Sequence, residues 1–278
     1  GLLIGHMFGV FIGMIAIFRF YYLSSRNLLS RLRWKHIHYA AVRYKKFPLF
    51  TTWADMANMA SKHLPVIIIS SLFSPLYAGY YVLANRVGNM PVAMISEGAS
   101  KAFFAEAPNA LKAGYLDKLS CNVFILLLRV SLLPFMVLTI IAPELFKFIF
   151  GDNWLIAGEC VQLLILHMVA VFIFIPILTL IAVFEKQKVG FIFQITMLII
   201  SIASLFLGSL FNEVKLAVAF YGIGTSSIYA IFGLWILHFT GIRYRKLSKI
   251  LMTEILLIIP FGLVLFLAYT YSTRHLIY

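Results

Sequence analysis

Residues 156–183 read IAGECVQLLILHMVAVFIFIPILTLIAV, an apolar run in which Glu159 is the one formally charged side chain. A helix needs about 20 mostly apolar residues to cross the hydrocarbon core of a membrane. Seven further segments have the same character; they are roughly 2–23, 49–73, 77–104, 119–141, 189–211, 216–239 and 250–271. The sequence therefore predicts an all-α fold, a polytopic transmembrane helix bundle of about eight spans.

The composition also indicates a membrane protein. Of the 278 residues, 62% are hydrophobic and 12% are charged, whereas a soluble domain is about half apolar and a quarter charged. The formal net charge is +13. The basic residues cluster in short segments between apolar runs, which is typical of cytoplasmic loops rather than of nucleic-acid binding. We therefore expect no nucleic-acid partner.

The distribution of Lys and Arg predicts the orientation in the membrane. With residues 24–48 in the cytoplasm and alternating spans, sixteen basic residues fall in inside segments and three in outside segments. This excess places residues 240–249 inside and the C-terminus in the periplasm. Residues 24–48 hold seven of the sixteen, either as a plain membrane anchor or as a surface helix on anionic lipid. Because an apolar run begins at Gly1, we expect an internal start within a longer protein.

Two predicted spans carry polar side chains on one face. In the second span these are spaced i, i+4, i+7 and i+11, which aligns Thr51, Asp55, Asn58 and Lys62. In the third span an arc of about 120° holds Asn85, Arg86, Asn89, Ser96, Glu97 and Ser100. Each of the two helices also contains a proline, Pro65 or Pro91, where a kink or local unwinding would free backbone groups.

An ionisable side chain in mid-membrane costs at least about 2.5–3.5 kcal/mol on insertion scales. Asp55, Lys62, Arg86 and Glu97 must therefore face protein or water rather than lipid. Mutual neutralisation in buried salt bridges would satisfy them, and so would a hydrated cavity between the two helices. The additional amides and hydroxyls on the same faces favour the cavity, because charge pairing alone would not need them.

In such a cavity the cations predict an anionic ligand. An arginine binds phosphate through two hydrogen bonds and a lysine acts as a point charge, so Arg86 and Lys62 are candidates for contact with a pyrophosphate. The remaining predicted substrate-binding residues are Asn58, Asn85, Asn89 and Thr51. The carboxylates Asp55 and Glu97 could orient the cations, bind sugar hydroxyls, or take up a proton that drives transport.

The sequence contains no glycine-rich phosphate loop, no metal-ligand cluster and no nucleophile elbow. We therefore expect no catalytic residues, no metal and no cofactor, and an ATP-driven mechanism would need another chain. An enzyme that polymerises glycans would be expected to carry a sizeable outer loop. The longest outer segment is 142–155, without His or Arg, so we expect that the protein is not an enzyme.

Two stretches resemble a known family. Residues 78–87 (AGYYVLANRV), followed by Pro91 and by Phe103-Phe104, resemble the central segment of O-antigen and polysaccharide flippases of the multidrug/oligosaccharidyl-lipid/polysaccharide exporter superfamily. Residues 142–145 (APEL) and 149–154 (IFGDNW), with Ala157-Gly158, resemble the short outer loop and the following helix of that family. The pattern covers roughly residues 40–200.

The resemblance implies an inverted-V transporter with two six-helix lobes around a central cavity. Residues 1–23 would then be the last helix of the N-terminal lobe, 24–48 a basic cytoplasmic linker, 49–239 the C-terminal six-helix lobe, and 250–278 an additional helix with a periplasmic tail. It further implies alternating access in the bacterial inner membrane, with an undecaprenyl-pyrophosphate oligosaccharide as cargo for O-antigen lipopolysaccharide or another surface polysaccharide. Membrane lipids, a coupling proton or sodium ion, and polysaccharide polymerase and assembly proteins would be the partners.

Two alternatives stay open. A cation or drug antiporter of the same superfamily would also use charged cavity residues, and this half of the cavity shows two acids and two bases. The match to the polysaccharide branch favours the flippase. A membrane enzyme of glycan assembly is the alternative from a different class. The location of complete repeat units in a deletion strain would separate a flippase from an enzyme.

The topology makes a direct prediction for residues 24–48. A cysteine at position 36 (His36→Cys) should react with a membrane-impermeant thiol reagent only after the inner membrane is opened, because the basic segment lies inside. A cysteine in the predicted outer segment, Asn153→Cys, should react in intact cells from which the outer membrane has been removed. Labelling of position 36 in those cells would refute the topology.

Overall fold

In a computed structural model the described residues are 2–29, 34–44, 47–254 and 256. They belong to two compact units, Gly1–Leu49 and Phe50–Tyr278. The first unit contains helix α1, Leu2–Leu29, and helix α2, Trp34–Tyr44. Helix α1 continues past the predicted span end at residue 23, so the first part of the basic segment is helical. A short π-helix follows at Phe47–Thr51.

The second unit is a bundle of helices, and the described residues of the chain contain no strand. Its elements are α3, Thr52–Leu72; α4, Pro75–Ala113; α5, Leu116–Phe150; α6, Leu155–Leu178; α7, Leu180–Val183; α8, Gln187–Ser209; and α9, Val214–Phe239. A 3₁₀ turn, Asp152–Trp154, joins α5 to α6. A last helix, α10, covers residues 244–254. The predicted all-α bundle is confirmed.

Four segments of the described chain are long and apolar enough to span a membrane: Leu116–Phe150, Asp152–Val183, Gln187–Ser209 and Val214–Phe239. The protein is therefore a multi-pass membrane protein. Helices α3 and α4 are long enough to cross but too polar to qualify, and the apolar part of α1, Met7–Leu23, is shorter. Most of the predicted eighth span, 250–271, lies outside the described residues, so the total of about eight stays a prediction.

Helix α6 is the centre of the bundle. In the most apolar stretch of Asp152–Val183, 61% of residues are buried, against 22–33% in the other three spans. It packs against α4, α5 and α9, while α3 joins the bundle through α8 and α4. Leu164, Met168 and Ile177 of α6 have no exposed surface. The helices around α6 turn their remaining apolar side chains outward, as a lipid-facing bundle requires.

A tight turn at Ser74 separates α3 from α4. The Ser74 hydroxyl caps α4 by accepting a hydrogen bond from the Tyr77 amide at 3.4 Å, and Pro75 occupies the first helical position. At its other end α4 extends beyond the predicted 77–104. It ends at Gly114, whose φ of +79° is the left-handed conformation that closes many helices.

Residues 143–150 form the last two turns of α5 and not a separate helix. Pro143 has no amide hydrogen to donate to the Thr139 carbonyl four residues earlier. The Nε2 amide of Gln162 on α6 donates to that carbonyl instead, at 2.6 Å. Since the freed group is satisfied, the helix continues through the proline as far as Phe150.

Helix α10 is joined to α5 by an ion pair. Arg129 Nη2 donates to Glu254 Oε1 at 2.8 Å, and Arg129 Nε donates to the two carboxylate oxygens at 3.0 and 3.1 Å. The Glu254 side chain is 8% exposed and that of Arg129 is 64% exposed. This two-point contact fixes the start of the predicted eighth span against the bundle.

Helices α6 and α9 approach closely at Gly222. A Cβ added there would lie 2.5 Å from the Leu163 carbonyl oxygen, so only a residue without a side chain allows this distance. Small residues at helix contacts are the usual means by which membrane helices gain packing energy. Gly222 therefore sets the position of the α9 residues on either side of it.

We expect Gly222→Ala to lower the free energy of unfolding by about 1–3 kcal/mol, as overpacking of a close contact does. Gly79→Ala is the matched control, since an added Cβ at this exposed helical position meets nothing within 4 Å and alanine favours the helix. Thermal unfolding of the purified protein in detergent measures both. Equal transition temperatures for the two variants would contradict the packing argument.

Candidate functional site

A polar cavity of about 320 Å³ lies within the second unit, among helices α3, α4, α6, α8 and α9. Five of the predicted site residues line it, namely Asn58, Lys62, Asn85, Asn89 and Glu97, and so does Ser96 from the predicted polar arc of the third span. The cavity brings together the polar faces of α3 and α4, as their spacing indicated. Both helices are continuous through Pro65 and Pro91.

Other polar residues of the cavity were not predicted as site residues. Its lining also includes Ser61, His167, Gln194, Ser201, Tyr221 and Tyr229. Gln194 and Ser201 are seven residues apart on α8, and Tyr221 and Tyr229 are eight apart on α9, so each pair shares a helical face. This spacing was the sequence pattern that could have indicated a shared polar face. It is weak, because these residues stand in otherwise apolar helices and come together only through the packing of α6, α8 and α9.

Three predicted residues lie outside this cavity. Arg86 borders a second, more open space of about 460 Å³, together with His63, Val66, Ile67 and Val82. Asn85 borders both spaces. Thr51, the last residue of the π-helix, and Asp55 on α3 are exposed and line neither space. Arg86 and Lys62 therefore serve adjoining openings on either side of Asn85, not one common pocket.

The two asparagines on α4 are oriented by each other. The Asn89 side-chain amide donates to Asn85 Oδ1, which leaves Asn89 Oδ1 pointing elsewhere. This oxygen is buried and has no hydrogen-bond partner among the described residues. A buried acceptor without a donor costs about 1–3 kcal/mol, so this oxygen lowers the stability of the bundle locally.

The imidazole of His167 is held in one orientation. Its Nδ1 lies 2.8 Å from Thr225 Oγ1, and that hydroxyl donates to the Tyr221 carbonyl at 2.7 Å. Because the hydroxyl hydrogen is used in this way, Oγ1 accepts from His167 Nδ1. In the neutral ring, Nε2 is then an acceptor. The ring centroids of Tyr221 and Tyr229 lie 5.7 and 5.8 Å from that of His167.

The charges around the cavity are weakly compensated. Among the described residues, Asp55, Lys62, Arg86 and Glu97 form no salt bridge with one another. Glu97 lies 3.9 Å from Lys101, but the two side chains are 70% and 81% exposed, and exposed pairs of this kind contribute little. The Lys62 ammonium thus remains at the cavity wall as a charge that an anionic ligand can use.

Residues 2–159 match the model of a family described as polysaccharide biosynthesis protein, which covers more than half of the chain. The chain belongs to this family. No curated protein and no solved structure gives a match. The matched part of this polysaccharide biosynthesis protein includes α3 and α4, which supply Asn58, Lys62, Asn85 and Asn89. The cavity walls from His167 onward lie beyond it.

The cavity should be open to water. In a background with the buried Cys121 and Cys160 changed to serine, Ala93→Cys should react several-fold faster with a charged methanethiosulfonate than Ile199→Cys. Ala93 lines the cavity, whereas Ile199 is an exposed apolar residue of a spanning helix; a thiol ionises in water but not in lipid. Equal rates at the two positions would show that the cavity is dry.

Proposed function

We propose that this polysaccharide biosynthesis protein is a transporter which carries a lipid-linked oligosaccharide across the bacterial inner membrane. The observation that carries the proposal is the cavity itself, which places Lys62, three asparagines and a histidine inside a bundle that otherwise faces lipid. In a protein of glycan synthesis, a hydrated path through a membrane bundle suits the transfer of a glycan headgroup.

The main energetic barrier to such transfer is the passage of the polar headgroup through the hydrocarbon core. Moving an unpaired charge or a set of hydroxyls through hydrocarbon costs many kcal/mol, because nothing there replaces the hydrogen bonds to water. Amides and hydroxyls on α3 and α4 replace those bonds, and Lys62 with the neighbouring Arg86 offsets a pyrophosphate charge. The polyprenyl tail needs no such path, since it is as apolar as the lipid around it.

The cargo we propose is an undecaprenyl-pyrophosphate oligosaccharide repeat unit, used for O-antigen or another surface polysaccharide. Two lobes that rock around a fixed site would expose the cavity first to one side and then to the other. Titration of Asp55 or Glu97, or sodium binding, would couple the movement to an ion gradient. The polysaccharide polymerase and assembly proteins would take up the product. No bond is made or broken in this process, so the protein would not be an enzyme.

Substitution of the two cationic residues tests the proposed function. In a deletion strain complemented with variants, Lys62→Ala and Arg86→Ala should each reduce surface glycan roughly ten- to a hundredfold, since a charge-assisted hydrogen bond contributes about 1.5–3 kcal/mol. Complete repeat units should accumulate on the inner leaflet. Arg86→Lys should be intermediate, because it keeps the charge and loses the two-point geometry.

Lys112→Ala is the control, since it removes the same charge from an exposed position in the last turn of α4. Its surface glycan should equal that of the wild type at equal protein in the membrane. Incomplete repeat units in the deletion strain would indicate an enzyme of glycan assembly instead. Normal glycan export together with lost drug resistance would indicate an antiporter.

A further inference from the structure

The inner wall of the cavity differs chemically from the side that carries Lys62. It includes the Asn89 amide, which donates to Asn85 Oδ1, and the His167 imidazole, whose Nδ1 is bound to Thr225 so that Nε2 remains as an acceptor. Gln194 on α8 adds an amide with both a donor and an acceptor. None of these groups carries a formal charge, so this wall offers hydrogen bonds rather than charge to a ligand.

The same wall includes the aromatic rings of Tyr221 and Tyr229 beside the imidazole of His167. Ring contacts run from Tyr221 through His167 to Tyr229, and on to Phe193 at 5.4 Å. An aromatic face carries partial negative charge, and it attracts the C–H groups on one face of a sugar ring. Amide and imidazole acceptors beside aromatic faces suit a ligand that has many hydroxyls on its edge and C–H groups on its face.

The wall is preorganised by close helix packing. Gly222 lies between Tyr221 and Thr225 on α9, and a Cβ there would reach the Leu163 carbonyl oxygen at 2.5 Å. Gly224, on the same helix, packs against the Ser204 hydroxyl of α8 with no room for a side chain. Since α6, α8 and α9 are in direct contact at these points, the wall needs little ordering when a ligand binds.

We propose that this inner wall, with Asn89, His167, Gln194 and Tyr229, is a sugar-binding subsite that holds one part of the oligosaccharide while the cations hold the phosphate. The inference rests on the proposed function, because it assigns a second component of the same cargo to a second part of the same cavity. The volume of about 320 Å³ is at the small end for ligand pockets. It therefore receives part of the headgroup and not a whole repeat unit.

An alkali cation is the competing occupant, since it also seeks oxygen and nitrogen acceptors. The position of Lys62 on the wall of this cavity opposes a second cation. A hydroxyl group, in contrast, donates to His167 Nε2 and accepts from the Gln194 amide. A sugar satisfies the donors and acceptors of the wall together.

The test measures binding of the free repeat-unit oligosaccharide, released by mild acid from the host's lipid-linked intermediate, to the full chain in nanodiscs. This probe has neither lipid nor pyrophosphate, so its binding does not require transport. The wild type should bind it, and Gln194→Met and Asn89→Leu should each weaken binding roughly five- to a hundredfold, because a buried partner is left unpaired. Titration calorimetry gives the affinities.

Each variant has a matched control on its own helix. Gln187→Met on α8 and Asn109→Leu on α4 make the same chemical change outside the cavity and should bind like the wild type. Gln194→Met keeps the length of the side chain and leaves the Asn85–Asn89 hydrogen bond in place. It therefore decides the question if Asn89→Leu does not fold.

The outcomes separate this inference from the proposed function. Wild-type binding of the free oligosaccharide that Gln194→Met weakens supports the sugar subsite, even if the chain transports nothing. Normal glycan export together with unchanged oligosaccharide binding in Gln194→Met overturns the subsite and leaves the transporter in place. A cation site would replace the sugar subsite if three results are found together. Sodium chloride but not potassium chloride stabilises the protein thermally, Asn89→Leu removes this stabilisation, and the oligosaccharide has no effect.

Discussion

The structure depends on one constraint, namely that polar groups within hydrocarbon must find their partners inside the protein. Helix α6 shows how the constraint is met. Pro176 cannot donate to the Phe172 carbonyl, and Ser96 Oγ of α4 lies 3.5 Å from that oxygen. Gln162 fills the corresponding role for the carbonyl that Pro143 frees on α5. Prolines that would break isolated helices thus become points of contact between helices, and they tie α4 and α5 to the central helix α6, which also borders the cavity.

The same constraint explains how much the sequence could predict. Spans rich in apolar residues follow from composition, so α8 and α9 were found within two residues of their ends, and the span 156–183 within four residues of Asp152–Val183. Helix α5 was found as well, but it continues to Phe150, nine residues beyond the predicted end at residue 141. The polar faces of α3 and α4 also follow from spacing. The position of a residue along the helix axis, however, does not show whether it reaches the cavity. Asp55 shares the face of Lys62 but lies seven residues away, about 10 Å along the axis at 1.5 Å per residue. Because of this distance, Asp55 lies outside the cavity. Arg86 lies on the same predicted arc as Glu97, yet it borders the neighbouring opening while Glu97 lines the cavity.

The part of the cavity wall formed by α6, α8 and α9 could not be predicted as a site, because its residues are divided among three helices. His167 stands alone in an apolar run, and a lone histidine of this kind is usually a packing residue. Its place in the cavity wall follows only from the tertiary structure, where Thr225 binds Nδ1 and two tyrosine rings flank the imidazole. These contacts depend on the close approach of α9 to α6 at Gly222. A glycine in a membrane helix is common enough that it marks no particular neighbour, so the packing that completes the cavity is a property of the tertiary structure alone.

The chemistry of the cavity would also suit the affinity that the proposed transporter requires. A carrier must release its cargo on the far side, so strong binding would slow the cycle. Neutral hydrogen bonds contribute about 0.5–1.5 kcal/mol each, and several of them recognise a ligand without holding it too tightly. The cations are placed accordingly: Lys62 is exposed at the wall, and Arg86 lies in the adjoining space beyond Asn85. In the proposed transporter a headgroup would meet its phosphate contacts in hydrated surroundings, where Coulomb attraction is screened, and its sugar contacts on the rigid inner wall. Recognition would then rest on the shape and hydroxyl pattern of the sugar, with charge providing the initial attraction.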